Sequence, residues 1–519
     1  MTKPTLDRSN GKDAYSEALW SAPWLTTRAA LSPDEVAIEL NGNAIRYTDL
    51  AARVDRIVEE LSQCGVARGE LVAVHLPNGL PIVELIHASF RGDFVVLLLN
   101  GRLRAPEIEF QLRDTGARYF VHVNNDPVTE SIELEPGVER IRVAPSDDLA
   151  PTNLRPANSK PEEKPLEVRD QLDLAAPRFI LYTSGTSGKP KGVVLSAANL
   201  LSSAAGSAAL IGAGDKDKWL LCLPIFHIGG LSILLRGVLA GSCVILHEQF
   251  SPEHVNADIE QKGVTRISLV ANMLKRILDV RTQTDPPPAL NCVLLGGGPA
   301  AASLVDAALA AGFPVAPTYG LTEVASQVAT RLPDDPPDAG LRPLNGTALK
   351  IVDDERQPVA TGEAGEICVL SGSVTSGYWN RPDANRNAFS DGWLHTGDIG
   401  SLDAEGRLSV FDRRSDLIIS GGENIYPAEV ESVLLEHLAV SEAGVVGEAD
   451  EAFGARPVAW LVAAGDETPD ADDLREHCRS KLAGYKCPVK FVWCSALPRT
   501  ASGKLLRREL GGGGHKTGE

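Results

Sequence analysis

Short apolar runs that alternate with helical stretches constrain the fold of this chain of 519 residues more than any other feature of its sequence. Near the start, Leu71–His75 and Phe94–Leu99 have the composition of buried parallel strands, and the stretch 81–90 between them has a helical pattern. Later runs alternate with helical stretches up to residue 330: Arg178–Tyr182, Trp219–Leu223, Cys243–Leu246, Arg266–Val270 and Cys292–Leu295. Because parallel strands need crossover helices that cover the sheet, this pattern predicts doubly wound α/β sheets.

The pattern changes twice along the chain. Residues 144–170 are rich in proline and charge, which is typical of a solvated surface segment, and we expect a linker or loop there. Over 348–411, short alternating strands and glycine turns indicate a β-rich subdomain, with strands at Glu366–Leu370 and Leu408–Phe411.

The last part of the chain has the pattern of a separate α+β unit, with strands near Ala443–Gly447 and Val458–Val462. The run of glycines from Gly511 predicts a flexible tail. We therefore predict an α/β protein with a large N-terminal domain of doubly wound sheets and a β-rich subdomain, plus a small, mobile α+β C-terminal domain. The predicted bounds are 1–413 for the large domain, with the subdomain near 345–411, then 414–510 for the small domain and 511–519 for the tail.

Charge and cysteine content exclude several classes of function. The chain has 50 Lys and Arg against 69 Asp and Glu, a net charge of −19, which argues against a nucleic-acid partner and against a polybasic membrane anchor. Its longest apolar runs are far shorter than the roughly 18 residues of a membrane helix, and the polar stretch Met1–Lys12 has no signal-peptide pattern. The eight cysteines have no CxxC spacing, so we expect buried, reduced thiols and a cytoplasmic protein without membrane insertion.

A loop rich in glycine, serine and threonine follows the strand at Arg178–Tyr182. It reads YTSGTSGKPKG over Tyr182–Gly192. Small residues let backbone N–H groups approach a phosphate closely, hydroxyls add donors, and the lysines offset phosphate charge. The spacing differs from a Walker loop, since Gly185 and Gly188 lie only three residues apart. On these physical grounds a phosphate loop is favoured, while a flexible loop without a ligand stays open.

This loop and six later motifs, in the same order, resemble those of the acyl-adenylate-forming superfamily. The resemblance extends over about 15–510 of the chain. The later motifs are GGGP at 296–299, YGLTE at 319–323, TGD at 396–398, DRRSD at 412–416, GGEN at 421–424 and PRTASGK at 498–504.

The resemblance implies a site for ATP and AMP. Its members in this chain are Thr183, Ser184, Gly185, Thr186, Ser187, Gly188, Lys189, Lys191, Gly297, Gly298, Pro299, Tyr319, Gly320, Thr322, Asp398 and Arg413. In this set Tyr319 would stack on adenine and Asp398 would accept from both ribose hydroxyls. Glu323 would hold Mg²⁺, which commonly takes one or two protein carboxylates. Standing alone, Tyr319 would equally suit a core aromatic and Arg413 a surface cation.

The resemblance also implies the reaction and its moving parts. A carboxylate would attack the α-phosphorus of ATP, and CoA would then attack the acyl-AMP after the small domain rotates. The catalytic residues would be Lys504, Thr186, Glu323 and His227, and the CoA side would be Gly421, Gly422 and Glu423. Ser415 stands at the hinge, where the family usually has Asp or Lys; a small polar residue can still absorb the backbone change. By itself, Lys504 would read as a surface lysine.

One branch of the superfamily, the 2-succinylbenzoate–CoA ligases of menaquinone biosynthesis, is the most similar over 218–236, 319–327, 412–431 and 481–490. The resemblance implies an acyl pocket formed by His227, Gly320, Ser326 and Gln327. His227 can donate to the ketone or the second carboxylate of that acid, or act only as a gate at the pocket mouth. Arg236 is interpreted as structural.

Other functions remain open from the sequence. The acid can be another aryl or medium-chain carboxylate, or the acceptor can be a carrier protein, although no carrier domain is fused here. A non-catalytic nucleotide-binding relative is disfavoured because Thr322, Glu323, Asp398, Arg413 and Lys504 are all present. The expected partners are the small-molecule carboxylate, ATP and CoA, and a homo-oligomer is possible.

Overall fold

The computed structural model describes residues 17–144, 152–156, 166–183, 190–298, 300, 302–353, 355–412, 418–425, 427–465, 468–498, 507 and 510. These residues divide into two compact units. Unit 1 takes the described residues of 1–101, 111–181 and 192–411, and unit 2 takes those of 102–110, 182–191 and 412–519. The predicted boundary after residue 413 and the predicted tail lie outside the described residues.

The helices of the described chain are α1 (Trp24–Leu31), α2 (Tyr47–Gln63), α3 (Leu80–Gly92), α4 (Ala105–Thr115), α5 (Pro127–Glu130), α6 (Ala197–Ile211), α7 (Ile228–Ala240), α8 (Pro252–Gln261), α9 (Ala271–Val280), α10 (Ala302–Ala310), α11 (Pro382–Ala388), α12 (Pro427–Leu434) and α13 (Ala471–Lys481). Short 3₁₀ turns occur at Glu17–Trp20, Thr322–Val324 and Gly484–Lys486. None of the described helices is long and apolar enough to cross a membrane.

The first fifteen strands are β1 (Val36–Leu40), β2 (Asn43–Arg46), β3 (Leu71–His75), β4 (Val95–Leu98), β5 (Tyr119–Val123), β6 (Glu139–Val143), β7 (Leu154–Pro156), β8 (Pro177–Thr183), β9 (Lys191–Ser196), β10 (Lys218–Leu221), β11 (Cys243–Leu246), β12 (Arg266–Leu269), β13 (Cys292–Leu295), β14 (Val315–Leu321) and β15 (Ser326–Thr330). The later strands are β16 (Arg342–Pro343), β17 (Thr347–Val352), β18 (Gly365–Ser371), β19 (Phe389–Ser390), β20 (Trp393–Leu402), β21 (Leu408–Asp412), β22 (Ile418–Ser420), β23 (Glu423–Ile425), β24 (Val440–Asp450), β25 (Gly454–Ala463) and β26 (Lys490–Trp493).

Two large sheets form the main part of unit 1. One has the strand order β16-β15-β14-β13-β12-β10-β11-β1-β2 and the other β7-β6-β5-β3-β4-β8-β9. The pairs from β1 through β11, β10, β12 and β13 to β14 are parallel, as are those that join β6, β5, β3, β4 and β8. The mainly parallel sheets confirm the predicted fold class.

Both faces of the nine-stranded sheet are buried. In β10, Trp219 and Leu221 belong to the core shared with α1, α2, α3, α6 and α7, whereas Leu220 belongs to a second core lined by α8, α9 and α10. Side chains of a strand point alternately to opposite faces, so a continuous apolar run is what a sheet covered on both sides requires. This explains why these strands are recognisable in the sequence as unbroken apolar runs.

The predicted β-rich subdomain is a five-stranded sheet with the order β17-β18-β20-β19, and β21 pairs with β20. Its strands β17, β18 and β20 pair antiparallel. In unit 2 the sheet order is β23-β22-β25-β24, with β26 parallel to β25. Helices α12 and α13 pack with this sheet around a core of its own that includes Val445 and Leu461.

The prediction of a purely solvated segment over 144–170 is wrong for part of it. Leu154–Pro156 is a strand that pairs antiparallel with β6, and the Leu154 side chain is buried. Its backbone N–H donates to Glu60 Oε2 over 2.8 Å. Because three residues show no periodicity, only pairing with β6 and burial of Leu154 against the rest of the fold select this strand. Residues 145–151 and 157–165 lie outside the described residues.

The cysteines behave as predicted. All eight are free, and all but Cys494 are buried. Burial raises the pKa of Cys222 to about 12 and that of Cys478 to about 12. These thiols therefore remain protonated at neutral pH and are poor nucleophiles.

Candidate active site

Many of the residues predicted for the site lie outside the described residues. They are Ser184, Gly185, Thr186, Ser187, Gly188, Lys189, Pro299, Arg413, Ser415 and Lys504. Their roles stay predictions from the resemblance. Thr183 is the last residue of β8 and Lys191 the first of β9, so both flank the predicted phosphate loop.

Two neighbouring parallel strands deliver the predicted adenine-binding residues to one edge of the nine-stranded sheet. β13 ends at Leu295, which is in register with Pro317 of β14. Gly297 and Gly298 follow β13, and Tyr319 follows Pro317 by two residues. A Cβ on Gly296 would lie 2.8 Å from the Thr318 methyl carbon, so a glycine lets the two strands' ends meet. The carboxyl edge of a parallel sheet is where ligands of such folds bind.

Tyr319 and Asp398, predicted to hold adenine and ribose, are in direct contact. The Tyr319 hydroxyl donates to Asp398 Oδ2 over 2.6 Å. The Tyr319 ring is buried and also packs in the core beneath the five-stranded sheet. The ring therefore packs as a core aromatic, and its hydroxyl contacts the carboxylate that is predicted to bind ribose. Stacking on adenine stays a prediction.

Asp398 lies in β20 where the pairing with β18 shifts register and the strand bulges, and three hydrogen bonds hold this bulge. The Asp398 N–H donates to Thr396 Oγ1 over 3.1 Å, and the Thr396 hydroxyl donates to the carbonyl of Ile367. The Gly397 N–H donates to Glu366 Oε1 over 2.8 Å. These bonds tie the bulge to β18 and fix the backbone that carries the carboxylate.

Glu323 lies in the 3₁₀ turn that follows β14, where its side chain is half-buried. Its Oε1 accepts a hydrogen bond from the Tyr378 hydroxyl over 3.0 Å, and its carbonyl accepts from Thr375 N–H over 2.7 Å. A single half-buried carboxylate fits the way Mg²⁺ is held, because that ion takes its other ligands from phosphate oxygens and water.

The segment 375–379 links this glutamate to the strand after the predicted phosphate loop. The Trp379 N–H donates to the Gly192 carbonyl over 2.7 Å, and Tyr378 forms a bridge with Val193 of β9. Nothing in the sequence singles out Tyr378, since it stands in an irregular stretch without periodicity. Only its hydrogen bond to Glu323 identifies Tyr378 as a neighbour of the candidate site.

Gly320 allows an unusually close approach of two strands. A Cβ at this position would lie 2.0 Å from the carbonyl oxygen of Ser326. The turn between them is tight, with Ala325 at φ 50° and Ser326 at φ 113°. The glycine therefore permits the tight return of the chain segment that carries Tyr319, Thr322 and Glu323.

The residues predicted for the acyl pocket have different surroundings. His227 is the exposed residue that precedes α7, and its ring lies 4.6 Å from that of Phe226. The Ser326 hydroxyl lies 3.4 Å from the hydroxyl of Ser232, which is in the second turn of α7. Helix α7 thus links these two candidates.

Gln327 is buried and its amide is already hydrogen bonded. Its Nε2 donates to Thr330 Oγ1 over 2.8 Å, and its Oε1 accepts from the Ser207 hydroxyl over 2.7 Å. Donation to an acid would compete with these bonds, and this role stays a prediction. The structural interpretation of Arg236 is supported, because its buried guanidinium lies 5.5 Å from the centre of the Trp219 ring.

Asn78 supports the loop that carries His227. Its Nδ2 donates to the carbonyl of Leu223 over 2.9 Å and to that of His247 over 3.2 Å. Its Oδ1 accepts from Ile225 N–H over 2.9 Å. One side-chain amide therefore joins the ends of β3, β10 and β11. In the sequence, Asn78 is visible only as part of an Asn-Gly pair after β3, which predicts a turn and not this role.

In unit 2, Gly421 and Gly422 form the two-residue turn between β22 and β23. Both have positive φ, 59° and 85°, which this type of hairpin requires. Glu423 begins β23 and forms an ion pair with Arg102, whose Nη1 lies 2.9 Å from Glu423 Oε1. The predicted CoA-side residues therefore lie together in one hairpin.

The chain matches the model of the AMP-binding enzyme family over residues 25–379 and that of the AMP-binding enzyme C-terminal domain over residues 429–504. It belongs to the AMP-binding enzyme family, which confirms the resemblance. The 2-succinylbenzoate–CoA ligase of Bacillus cytotoxicus is 42% identical over 491 residues, which are 94% of this chain and 97% of that protein. The corresponding ligase of a Bacillus cereus strain is 41% identical, with the same coverage.

Solved structures agree with these relatives. The o-succinylbenzoate CoA synthetase from Bacillus subtilis, as a double mutant bound with its product analogue, matches with a TM-score of 0.85 and 38% identity over 94% of this chain and 98% of that one. The same enzyme in complex with its acyl-adenylate intermediate matches with a TM-score of 0.69 over 96% and 99%. An amide bond synthetase from Marinactinospora thermotolerans matches with a TM-score of 0.81 and 27% identity over 94% and 98%.

Proposed function

We propose that this protein is an AMP-forming acid–thiol ligase that converts 2-succinylbenzoate, ATP and CoA to 2-succinylbenzoyl-CoA, AMP and pyrophosphate, a step of menaquinone biosynthesis. The observation that supports it most directly is the 2.6 Å hydrogen bond between Tyr319 and Asp398. It brings together residues from two separate motifs, which we propose as one surface for adenine and ribose. The nearly full-length similarity to 2-succinylbenzoate–CoA ligases supports the choice of acid.

In the first step, a carboxylate oxygen of the acid attacks the α-phosphorus of ATP. A phosphorus–oxygen bond forms, the bond to pyrophosphate breaks, and acyl-AMP results. Asp398 holds the ribose and Tyr319 the adenine, while Lys504 places a positive charge at the α-phosphate, where negative charge builds up. Mg²⁺ bound at Glu323 would neutralise part of the charge of the phosphates.

In the second step, the thiol sulfur of CoA attacks the acyl carbonyl and forms a carbon–sulfur bond. The thiol proton is released to solvent, and AMP leaves with the electrons of the carbon–oxygen bond. We assign the approach of CoA to the Gly421–Glu423 hairpin and the change between the steps to a hinge at Ser415. The half-reactions then use different residues of one protein, which makes them separable by mutation.

The acid must be held by a group that recognises its second carboxylate or its ketone. His227 is exposed beside the first turn of α7, and Ser326 reaches Ser232 of the same helix. We propose that these two side chains select the acid. We also propose a cytoplasmic location, since all eight cysteines are free.

The test of the reaction is pyrophosphate release with Mg·ATP against 2-succinylbenzoate, benzoate, octanoate and succinate, with and without CoA. We expect pyrophosphate release with 2-succinylbenzoate and with none of the other three acids. When CoA is present, we also expect a CoA thioester product. Release with another acid only would keep the chemistry and overturn the substrate. No release with any acid, in a protein that binds ATP, would overturn the enzymatic proposal.

The variant Lys504→Ala tests whether Lys504 acts in the first half-reaction and not in the second. We expect it to abolish adenylation and to retain thioester formation from supplied acyl-AMP. Lys490→Ala is the matched control, because that lysine is 58% exposed on β26 of the same unit; it should leave both half-reactions unchanged. Equal loss of both half-reactions in Lys504→Ala would contradict the assigned role.

A further inference from the structure

Three side chains with metal-binding atoms converge on one face of the five-stranded sheet. They are Glu366 and Cys368 of β18 and His395 of β20. The antiparallel register places Cys368 directly opposite His395, and Glu366, two residues before Cys368, points to the same face. Their nitrogen, sulfur and oxygen atoms all lie within 4.8 Å of one another.

The distances between these atoms are close to those around a tetrahedral metal ion. Cys368 Sγ lies 3.4 Å from His395 Nδ1, and His395 Nδ1 lies 3.1 Å from Glu366 Oε2. Typical zinc bond lengths place a sulfur and a nitrogen ligand about 3.6 Å apart, and a nitrogen and an oxygen ligand about 3.4 Å apart. Adjustments of a few tenths of an ångström therefore convert the present hydrogen-bonded cluster into a coordination site.

The burial and the chemistry of the three groups favour one class of ion. Cys368 is fully buried, and the side chains of His395 and Glu366 are 6% and 23% exposed. A thiolate and an imidazole suit zinc, whereas Mg²⁺ prefers oxygen ligands. Binding of Zn²⁺ would release the proton of the Cys368 thiol, and the resulting thiolate and the Glu366 carboxylate balance the two charges of the ion.

We propose that Glu366, Cys368 and His395 form a zinc-binding site with a fourth position for water. The site is distinct from the magnesium ligand Glu323. It is joined to the nucleotide site through Glu366, whose other oxygen, Oε1, accepts from the N–H of Gly397 over 2.8 Å. Gly397 directly precedes Asp398, so the metal would brace the bulge of β20 that carries the aspartate proposed to hold ribose.

The test uses the full-length protein without an affinity tag, stripped of metal with a chelator and dialysed against Zn²⁺. We expect one equivalent of zinc to be retained, and a rise in the thermal unfolding midpoint because the ion binds the folded state. Substitution with Co²⁺ should give a thiolate-to-metal charge-transfer band in the near ultraviolet. This band reports coordination by sulfur in the unmodified chain.

Cys368→Ser and His395→Asn should each remove the retained zinc and the cobalt band. The matched control is Cys494→Ser, because Cys494 is the one cysteine that is not buried; it should keep both. Wild-type protein that retains no zinc, or cobalt-loaded protein without the thiolate band, would overturn the proposal without relying on any variant. Equal binding by wild type and Cys368→Ser would overturn it as well.

Discussion

Replacing Gly320 by alanine should impair catalysis strongly while leaving a protein that still folds. The added Cβ would lie 2.0 Å from the Ser326 carbonyl oxygen, whereas real contacts of this kind stay beyond 3.0 Å. The backbone at β14 or at Ser326 must therefore move by about 1 Å, and a misplacement of that size costs on the order of 100-fold in rate. Overpacking of this kind lowers the free energy of unfolding by about 1 to 3 kcal/mol.

The assay is pyrophosphate release at saturating and at limiting ATP, combined with chemical denaturation to measure the free energy of unfolding. Gly465→Ala is the control, because a Cβ there meets no atom within 4 Å; its kinetics and stability should equal those of the wild type. A Gly320→Ala enzyme with wild-type kcat/KM would refute the argument that this close approach positions Tyr319, Thr322 and Glu323.

Three further results are expected. Tyr319→Phe removes the hydrogen bond to Asp398 and should raise the KM for ATP about tenfold; an unchanged KM would contradict the pairing. His227→Ala should reduce kcat/KM for 2-succinylbenzoate more than for a monocarboxylic acid, and an equal fall would make His227 a gate without selectivity. Burial lowers the pKa of His87 to about 3, so the unfolded chain alone binds this proton below pH 6.5 and stability falls as the pH falls. At pH 4.5 this cost is on the order of 3 kcal/mol, and denaturation of His87→Gln should lack it; an identical pH dependence in both proteins would count against the burial argument.

The fold was predictable wherever burial on both faces leaves a continuous apolar run. Leu71–His75, Cys243–Leu246 and Cys292–Leu295 are strands with the predicted bounds. The strand Leu154–Pro156 was not predictable, since its three residues lie within a proline-rich, charged stretch. Only pairing with β6 and burial of Leu154 distinguish it from a loop.

For the site, the sequence by itself determined which chemical groups are available and in what order they follow. Short local motifs contain the glycine-rich loop, the tyrosine, the glutamate and the aspartate. The residue types in these motifs already indicate the chemistry of each group. In the sequence, Gly320 can be recognised as important only because it is part of such a motif. The steric reason for it, an approach of 2.0 Å, appears when β15 returns beside β14.

Tertiary structure alone decided which side chains from distant parts of the chain come into contact. Tyr378 reaches Glu323 across 55 positions of the chain, and Asn78 reaches Ile225 across 147. Cys368 meets His395 only because β18 and β20 pair in one particular register. Hydrogen bonds and coordination act over about 3 Å, while local sequence patterns extend over a few residues. Contacts between distant segments therefore exist only once sheet order and register have brought those segments together.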